Sequence, residues 1–196
     1  MDYLHKLFSY TIILNSLSPR RKQLLESMGL KVLVSKQNIE ETYPQDLSNT
    51  LVAQYIAKKK NDAYKKTLNS KEILLSSDTI VLCNGIILGK PKDEQQAKDM
   101  LSLLSSSWHS VITGCSIKTN EKEIVFSQTT QVKFKQLSKE EINYYINIYR
   151  PFDKAGSYGI QEWIGIIGIE EIKGDFYNVM GLPTQKLYEE MINLIN

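Results

Sequence analysis

Residues Asn15-Ser16-Leu17-Ser18-Pro19-Arg20-Arg21 join a short apolar run to a helical pattern, and their types suit an anion. A helix beginning here presents unpaired backbone N–H groups and a partial positive charge, both favourable to phosphate. Two arginines add planar, paired donors for phosphate oxygens. A capped helix with solvated arginines is the plainer reading of the same residues. In Ser76-Ser77-Asp78-Thr79 a carboxylate falls within an apolar strand pattern, where a charge is costly unless it is paired, hydrogen-bonded or metal-bound. Asp78 is either a turn residue bonding nearby backbone or a metal ligand or base that activates water.

Gly89-Lys90-Pro91-Lys92 forms a corner able to project Lys90 rigidly, although plain turns have the same composition. Glu40-Glu41 is an acidic pair in a polar stretch, and Lys58-Lys59-Lys60 is a basic run on a helical pattern that should mostly face solvent and supply one useful lysine. Asp153-Lys154-Ala155-Gly156-Ser157-Tyr158-Gly159-Ile160-Gln161 collects glycines, charges and an amide in a loop. That composition serves a tight structural loop, or lets backbone approach a ligand while Gln161 reads a base edge with its donor and acceptor. Taken together, these segments supply cations for a polyphosphate, carboxylates for a divalent metal and polar loops for a base.

The elements that must position them alternate between strand and helix. Thr11–Leu14 reads as a strand. Ser18 caps the following helix, Pro19 takes its first position, Leu24, Leu25 and Met28 form its apolar stripe, and Gly29 ends it. Lys31–Ser35 is a strand pattern. Ser48 opens a long helix with Leu51, Val52, Tyr55, Ile56 and Ala63 at helical spacing. Glu72–Ser77 and Thr79–Leu88 read as strands, the second folded by the Asn84-Gly85 hairpin signal. Asp93 with Gln96 and Ser138 with Glu141 are capping-box pairs. The first opens a helix burying Ala97, Met100, Leu101 and Leu104; the second opens one carrying Ile142, Tyr145, Ile146 and Tyr149, stopped at Arg150-Pro151. Val111–Lys118 and Ile124–Phe134 read as paired strands, Trp163–Ile172 as a final strand and Thr184–Ile195 as a terminal helix. The fold class is α/β with a mixed sheet, because hairpins interrupt the alternation.

With 196 residues and 42% apolar content, the chain can fill one substantial core or two small lobes. Its net charge of +2 argues against coating of nucleic acid. Cys83 and Cys115 lie in strand patterns without metal-ligand spacing and read as buried thiols. The stretch Leu7–Leu14 is diluted by Ser9, Tyr10 and Thr11, and no run approaches the ~18 apolar residues of a membrane span. A soluble, cytoplasmic protein is the expectation.

These blocks, in this order, resemble the Maf family. Ser16, Ser18, Pro19, Arg20 and Arg21 match its Ser-x-Ser-Pro-Arg-Arg signature. Ser77-Asp78-Thr79 is similar to its Ala-Asp-Thr segment, and Ile87-Leu88-Gly89-Lys90-Pro91 to its Leu-Gly-Lys-Pro segment. His109–Gly114, Asp153–Gln161 and Tyr177–Pro183 resemble further blocks. The resemblance implies an elongated two-lobed Maf/ITPase-like fold, one domain over residues 1–196 with a nucleotide cleft, usually a homodimer. It implies hydrolysis of nucleoside triphosphates to monophosphate and pyrophosphate with Mg²⁺ or Mn²⁺. By position, Asp78 would accept the proton, and Glu41 with Asp78 would hold the metal. Ser18, Arg20, Arg21, Lys60 and Lys90 would contact phosphates, and Arg20, Thr79 and Gln161 would set the base. The Gln161-type loop resembles the dTTP/UTP subfamily rather than the 7-methyl-GTP one. Departures are Asn15 for a small residue, Asn38 for an acidic one, Ser106-Ser107-Trp108 for Gly-Arg-Thr, and Glu162-Trp163 where a glycine is common. Trp163 is read as core rather than as a stacking platform. A nucleotide-binding regulator of cell division is the alternative from another functional class, and the same chemistry on 7-methyl-GTP or another base is the alternative within the enzyme class.

Overall fold

The computed structural model describes residues 3–35 and 39–196; the Asn38 departure lies outside them. Helix α1 (Tyr3–Phe8), strand β1 (Thr11–Asn15), helix α2 (Pro19–Ser27), strand β2 (Lys31–Ser35) and helix α3 (Val52–Asp62) lead into strand β3 (Glu72–Cys83). Then come β4 (Ile86–Leu88), α4 (Glu94–Leu104), β5 (Trp108–Lys118), β6 (Glu123–Phe134) and α5 (Lys139–Tyr149). The chain closes with α6 (Trp163–Gly168), β7 (Ile169–Lys173), α7 (Phe176–Met180) and α8 (Thr184–Ile195).

Seven strands form a mixed sheet in the order β2-β1-β3-β5-β6-β7, with β4 beside β3. Strands β2 and β3 flank β1 in parallel, because α2 and α3 carry the chain across between them. At β3 the pattern changes: Asn84 and Gly85 both adopt positive φ, at 50° and 78°, and fold β4 back antiparallel. The α/β class with a mixed sheet is therefore the observed one.

The chain divides into two compact units; three of the four boundaries fall inside β3, β5 and β6, and the fourth follows α7. The first comprises Met1–Asp78, Thr113–Gln128 and Gly181–Asn196. Ile12, Leu14, Leu25, Val52, Ala53, Ile56, Leu75, Leu187 and Met191 are buried in it. Gly114 lets α3 lie directly on β5, since a Cβ there would stand 2.3 Å from the Ala53 carbonyl carbon and the Gln54 nitrogen. The second unit, Thr79–Ile112 with Thr129–Met180, packs Leu101, Leu104, Val132, Phe134, Ile142, Tyr145 and Ile164 into one cluster.

Several expectations need correction. Trp163–Ile172 is not one strand: its first half is α6, where Gly165 sits so close to Ile160 that a Cβ would come within 2.0 Å of that carbonyl oxygen. Local β-propensity is overridden there by packing. Trp163 does pack, edge-on to Tyr144 with 4.8 Å between ring centres. Ser48 does not cap α3; a 3-10 turn at Asn49–Leu51 intervenes, and Leu51 and Tyr55 are exposed. Glu72–Cys83 runs as a single strand, so Asp78 lies in mid-strand rather than at a break. Asp93 caps α4 by accepting from Gln96 N, but the Gln96 side chain turns to Lys92 N. Helices α1 and α7 had no sequence expectation. The capping box of Ser138 and Glu141 is complete, and Arg150 ends α5 in the left-handed region at φ 48°. Both cysteines are buried, free thiols.

Candidate active site

The centre of the site is a lysine shared by two carboxylates. Lys60, near the end of α3, places Nζ 2.7 Å from Asp78 Oδ1 and 2.8 Å from Glu41 Oε1. Asp78 is 8% exposed, whereas Glu41 comes from an exposed loop segment. Burial pushes the Asp78 carboxyl above the ordinary carboxylate range, and the positive charges of Lys60 and Arg21 oppose that rise without cancelling it. A carboxyl so placed is better matched to proton transfer near neutrality than an exposed aspartate.

The three consecutive lysines have separate partners. Lys58 pairs with Asp62 and Glu123; Lys59 donates to the Thr42 carbonyl and hydroxyl at 3.0 and 2.8 Å, beside Glu41. Only Lys60 reaches Asp78. Asn61 secures the end of α3, its Nδ2 donating to both the carbonyl and the hydroxyl of Ser116 at 2.8 Å.

At the start of α2, Ser18 takes extended backbone and its hydroxyl accepts from Arg21 N at 3.4 Å. Arg21 is drawn inward. Its Nε donates to the Gly181 carbonyl at 2.9 Å, and Nη1 donates to the Ser77 carbonyl at 2.8 Å and the Ser16 hydroxyl at 3.3 Å. Burial lowers the guanidinium pKa, and Asp78 counters that effect. Arg21 thus braces β3 next to Asp78, with a cation held close to the carboxylate. Arg20 follows Pro19 on the first turn of the same helix and is half-buried.

Sequence reasoning missed two supports. Asn15, noted only as a departure, ends β1 and is 5% exposed. Its Nδ2 donates to the Lys60 carbonyl at 2.9 Å and to Ser76 Oγ at 3.1 Å, joining α3 to β3 beneath the ion pair. The signal was an amide at the end of an apolar strand. Ser77 also holds the Gly181 carbonyl, 3.2 Å from its hydroxyl. Nothing local in the sequence marks that contact.

The structure therefore brings Glu41, Lys60, Asp78 and Arg21 together in the first unit, which also carries Ser18 and Arg20. Thr79, Lys90 and Gln161 belong to the second unit. Lys90 is exposed after β4, and the preceding Gly89 carbonyl accepts from Gly156 N at 3.1 Å. Gln161 is exposed two residues before the start of α6.

Among the described residues, no group of three or more His, Cys, Asp or Glu side chains could hold a metal ion alone. Yet Asp78 and Glu41 converge on one cation, the Lys60 ammonium. Two carboxylates of this kind fit a Mg²⁺-type ion that completes its shell with water and substrate phosphates.

Residues 11–194 match the family model described as Maf-like protein. The chain is 50% identical over 192 residues to a Phocaeicola vulgatus protein named dTTP/UTP pyrophosphatase, covering 97% of this chain and 100% of that one. Proteins of the same name from Parabacteroides distasonis and Flavobacterium psychrophilum are 48% and 47% identical, over 96% and 97% of this chain and 98% of each relative. Ordered signature blocks, the mixed α/β sheet and full-length similarity agree, and the chain belongs to the Maf family.

Proposed function

We propose that this protein hydrolyses dTTP and UTP to the monophosphate and pyrophosphate. The observation that carries the chemistry is the buried Asp78 carboxyl, held by a lysine that also meets Glu41. The pyrimidine substrate rests on the name of the relatives and on the Gln161-type loop.

In this reading Asp78 takes the proton of a water as the water oxygen bonds to the α-phosphorus. The bond from that phosphorus to the bridging oxygen breaks, and pyrophosphate leaves with the electron pair. Ser18, Arg20, Arg21, Lys60 and Lys90 bind the phosphates and offset their growing charge. Glu41 and Asp78 would hold Mg²⁺ or Mn²⁺, which when bound supplies neutralisation of the phosphates and makes water more acidic. Arg20, Thr79 and Gln161 select the base. One Maf-like domain over residues 1–196, a homodimer and a cytoplasmic setting belong to the same proposal on the resemblance alone.

The test is pyrophosphate release from dTTP, UTP, CTP, GTP, ATP and 7-methyl-GTP with either metal. Rapid turnover of dTTP and UTP is expected. Asp78→Asn should keep nucleotide binding while kcat falls about 10²–10⁴-fold, the usual contribution of a positioned acid–base group. Folded protein that binds these nucleotides and releases no pyrophosphate would overturn the enzymatic reading in favour of a nucleotide-binding regulator.

A further inference from the structure

The second unit contains a buried polar cluster that the proposed chemistry does not use. Tyr145 on α5 is 0% exposed, and its hydroxyl donates to Glu162 Oε2. The same hydroxyl accepts from Gly159 N at 3.0 Å. The other Glu162 oxygen, Oε1, lies 3.0 Å from Lys154 Nζ, which also reaches Asp153 Oδ1 at 2.7 Å. Lys154 is itself 8% exposed. Gly159 admits the carboxylate: a Cβ there would stand 2.8 Å from Glu162 Cδ.

An ion pair between a buried lysine and a half-buried carboxylate, linked to a buried phenol, contributes little net stability, because desolvation offsets the attraction. What the arrangement does supply is orientation, since each hydrogen bond is directional and the alternative is an unpaired buried charge. Four of the ten residues 153–162, namely Asp153, Lys154, Gly159 and Glu162, are tied into a network anchored on one rigid side chain of α5. Gln161 is the exposed residue just before Glu162, at the point where the loop enters α6.

We infer that Tyr145, Lys154 and Glu162 are positioning residues that fix Gln161 in the orientation from which it reads the base. This rests on the reading, proposed above, that Gln161 contacts the base. The cluster belongs to the second unit and Asp78 to the first, so its loss acts on base choice rather than on bond cleavage.

The test compares kcat/KM for dTTP and UTP with that for GTP in wild type, Gln161→Ala, Tyr145→Phe and the double variant. Tyr145→Phe keeps the ring and removes only the hydroxyl. It should lower the pyrimidine preference about tenfold, mainly through KM, with kcat for dTTP within about twofold of wild type. The double variant should be no less selective than Gln161→Ala alone, because both changes remove one function. Glu162→Gln, which keeps shape and an acceptor for Tyr145, should give a smaller fall and serves if Tyr145→Phe folds poorly. If Gln161→Ala abolishes the preference while folded Tyr145→Phe and Glu162→Gln retain it, the positioning role is wrong. An equal loss on every nucleotide, with the ratio unchanged, would show a purely structural tie and also overturn it. If Gln161→Ala leaves the preference intact, the base assignment itself fails, and that result is distinct from the other two.

Discussion

At the scale of single residues, Lys60 decides how the site meets a cation. Its ammonium stands within 2.8 Å of both carboxylates proposed to hold the metal, so protein charge already occupies their shared position. A triphosphate that draws Lys60 toward its oxygens releases those carboxylates, and metal and nucleotide should therefore bind with positive coupling. Lys60→Met should tighten Mn²⁺ binding to the nucleotide-free protein by about tenfold while weakening nucleotide binding, as read by Mn²⁺ electron paramagnetic resonance and calorimetry. Unchanged or weaker Mn²⁺ binding in the folded variant would remove the competition from the account. Asp78 was picked out by an ordered block, whereas Lys60 and Glu41 were assigned by position through the resemblance, and the structure sets the three side by side. Asn15 was not legible, since its work depends on a carbonyl 45 residues away. Arg21 was legible as a cation but not as a brace, because its acceptors at Ser77 and Gly181 are backbone atoms that leave no mark on side-chain pattern.

Elements place these residues, and α3 lies directly on β5 at Gly114. A methyl group at Gly114 would meet Ala53 and Gln54 backbone at 2.3 Å, and backbone in a packed helix cannot yield as a flexible side chain does. Gly114→Ala should therefore cost at least about 2 kcal/mol in urea unfolding and displace α3, carrying Lys60 from Asp78 and lowering turnover. Gly89→Ala is the matched control: nothing lies within 4 Å of its added Cβ, so stability should change by under about 0.5 kcal/mol. Equal stability of the two variants would contradict the packing argument. Caps and hairpin signals located α2, α5 and the β3–β4 hairpin correctly, because Ser18, Ser138 and Asn84-Gly85 act through neighbours in sequence. The failures share the opposite cause. Helix α6 is an apolar, β-branched run made helical by a glycine fitted against Ile160, and α1 contributes a single buried residue, Leu7, too little for a periodic signal.

On the scale of the whole chain, the mixed sheet was legible from alternation and hairpins, whereas the boundaries of the two units were not. Each is assembled from separated stretches, with three of the four boundaries inside continuous strands where composition does not change. Their cores should respond differently to acid, because the second contains a histidine held neutral. His109 is 3% exposed, stacks on Phe134 and shares a 2.8 Å hydrogen bond between Nε2 and Tyr158 Oη. Its Nδ1 has no hydrogen-bond partner among the described residues. Burial lowers the imidazole pKa from 6.5 to about 4. The unfolded chain therefore takes up a proton near pH 6.5 that the folded chain refuses until about pH 4. Stability from this group is fully present above pH 6.5, declines as pH falls through the interval, and is gone below the folded value; its upper bound is about 3 kcal/mol. His109→Gln cannot titrate and retains a group able to bond Tyr158. It should be less stable than wild type at neutral pH, with the gap closing between pH 6.5 and about 4 in denaturant melts made at each pH. Paired carboxylates such as Glu141 contribute to acid sensitivity in both proteins and cancel in the difference. Parallel stability curves for the two proteins across that interval would mean that His109 does not couple acid to the second core.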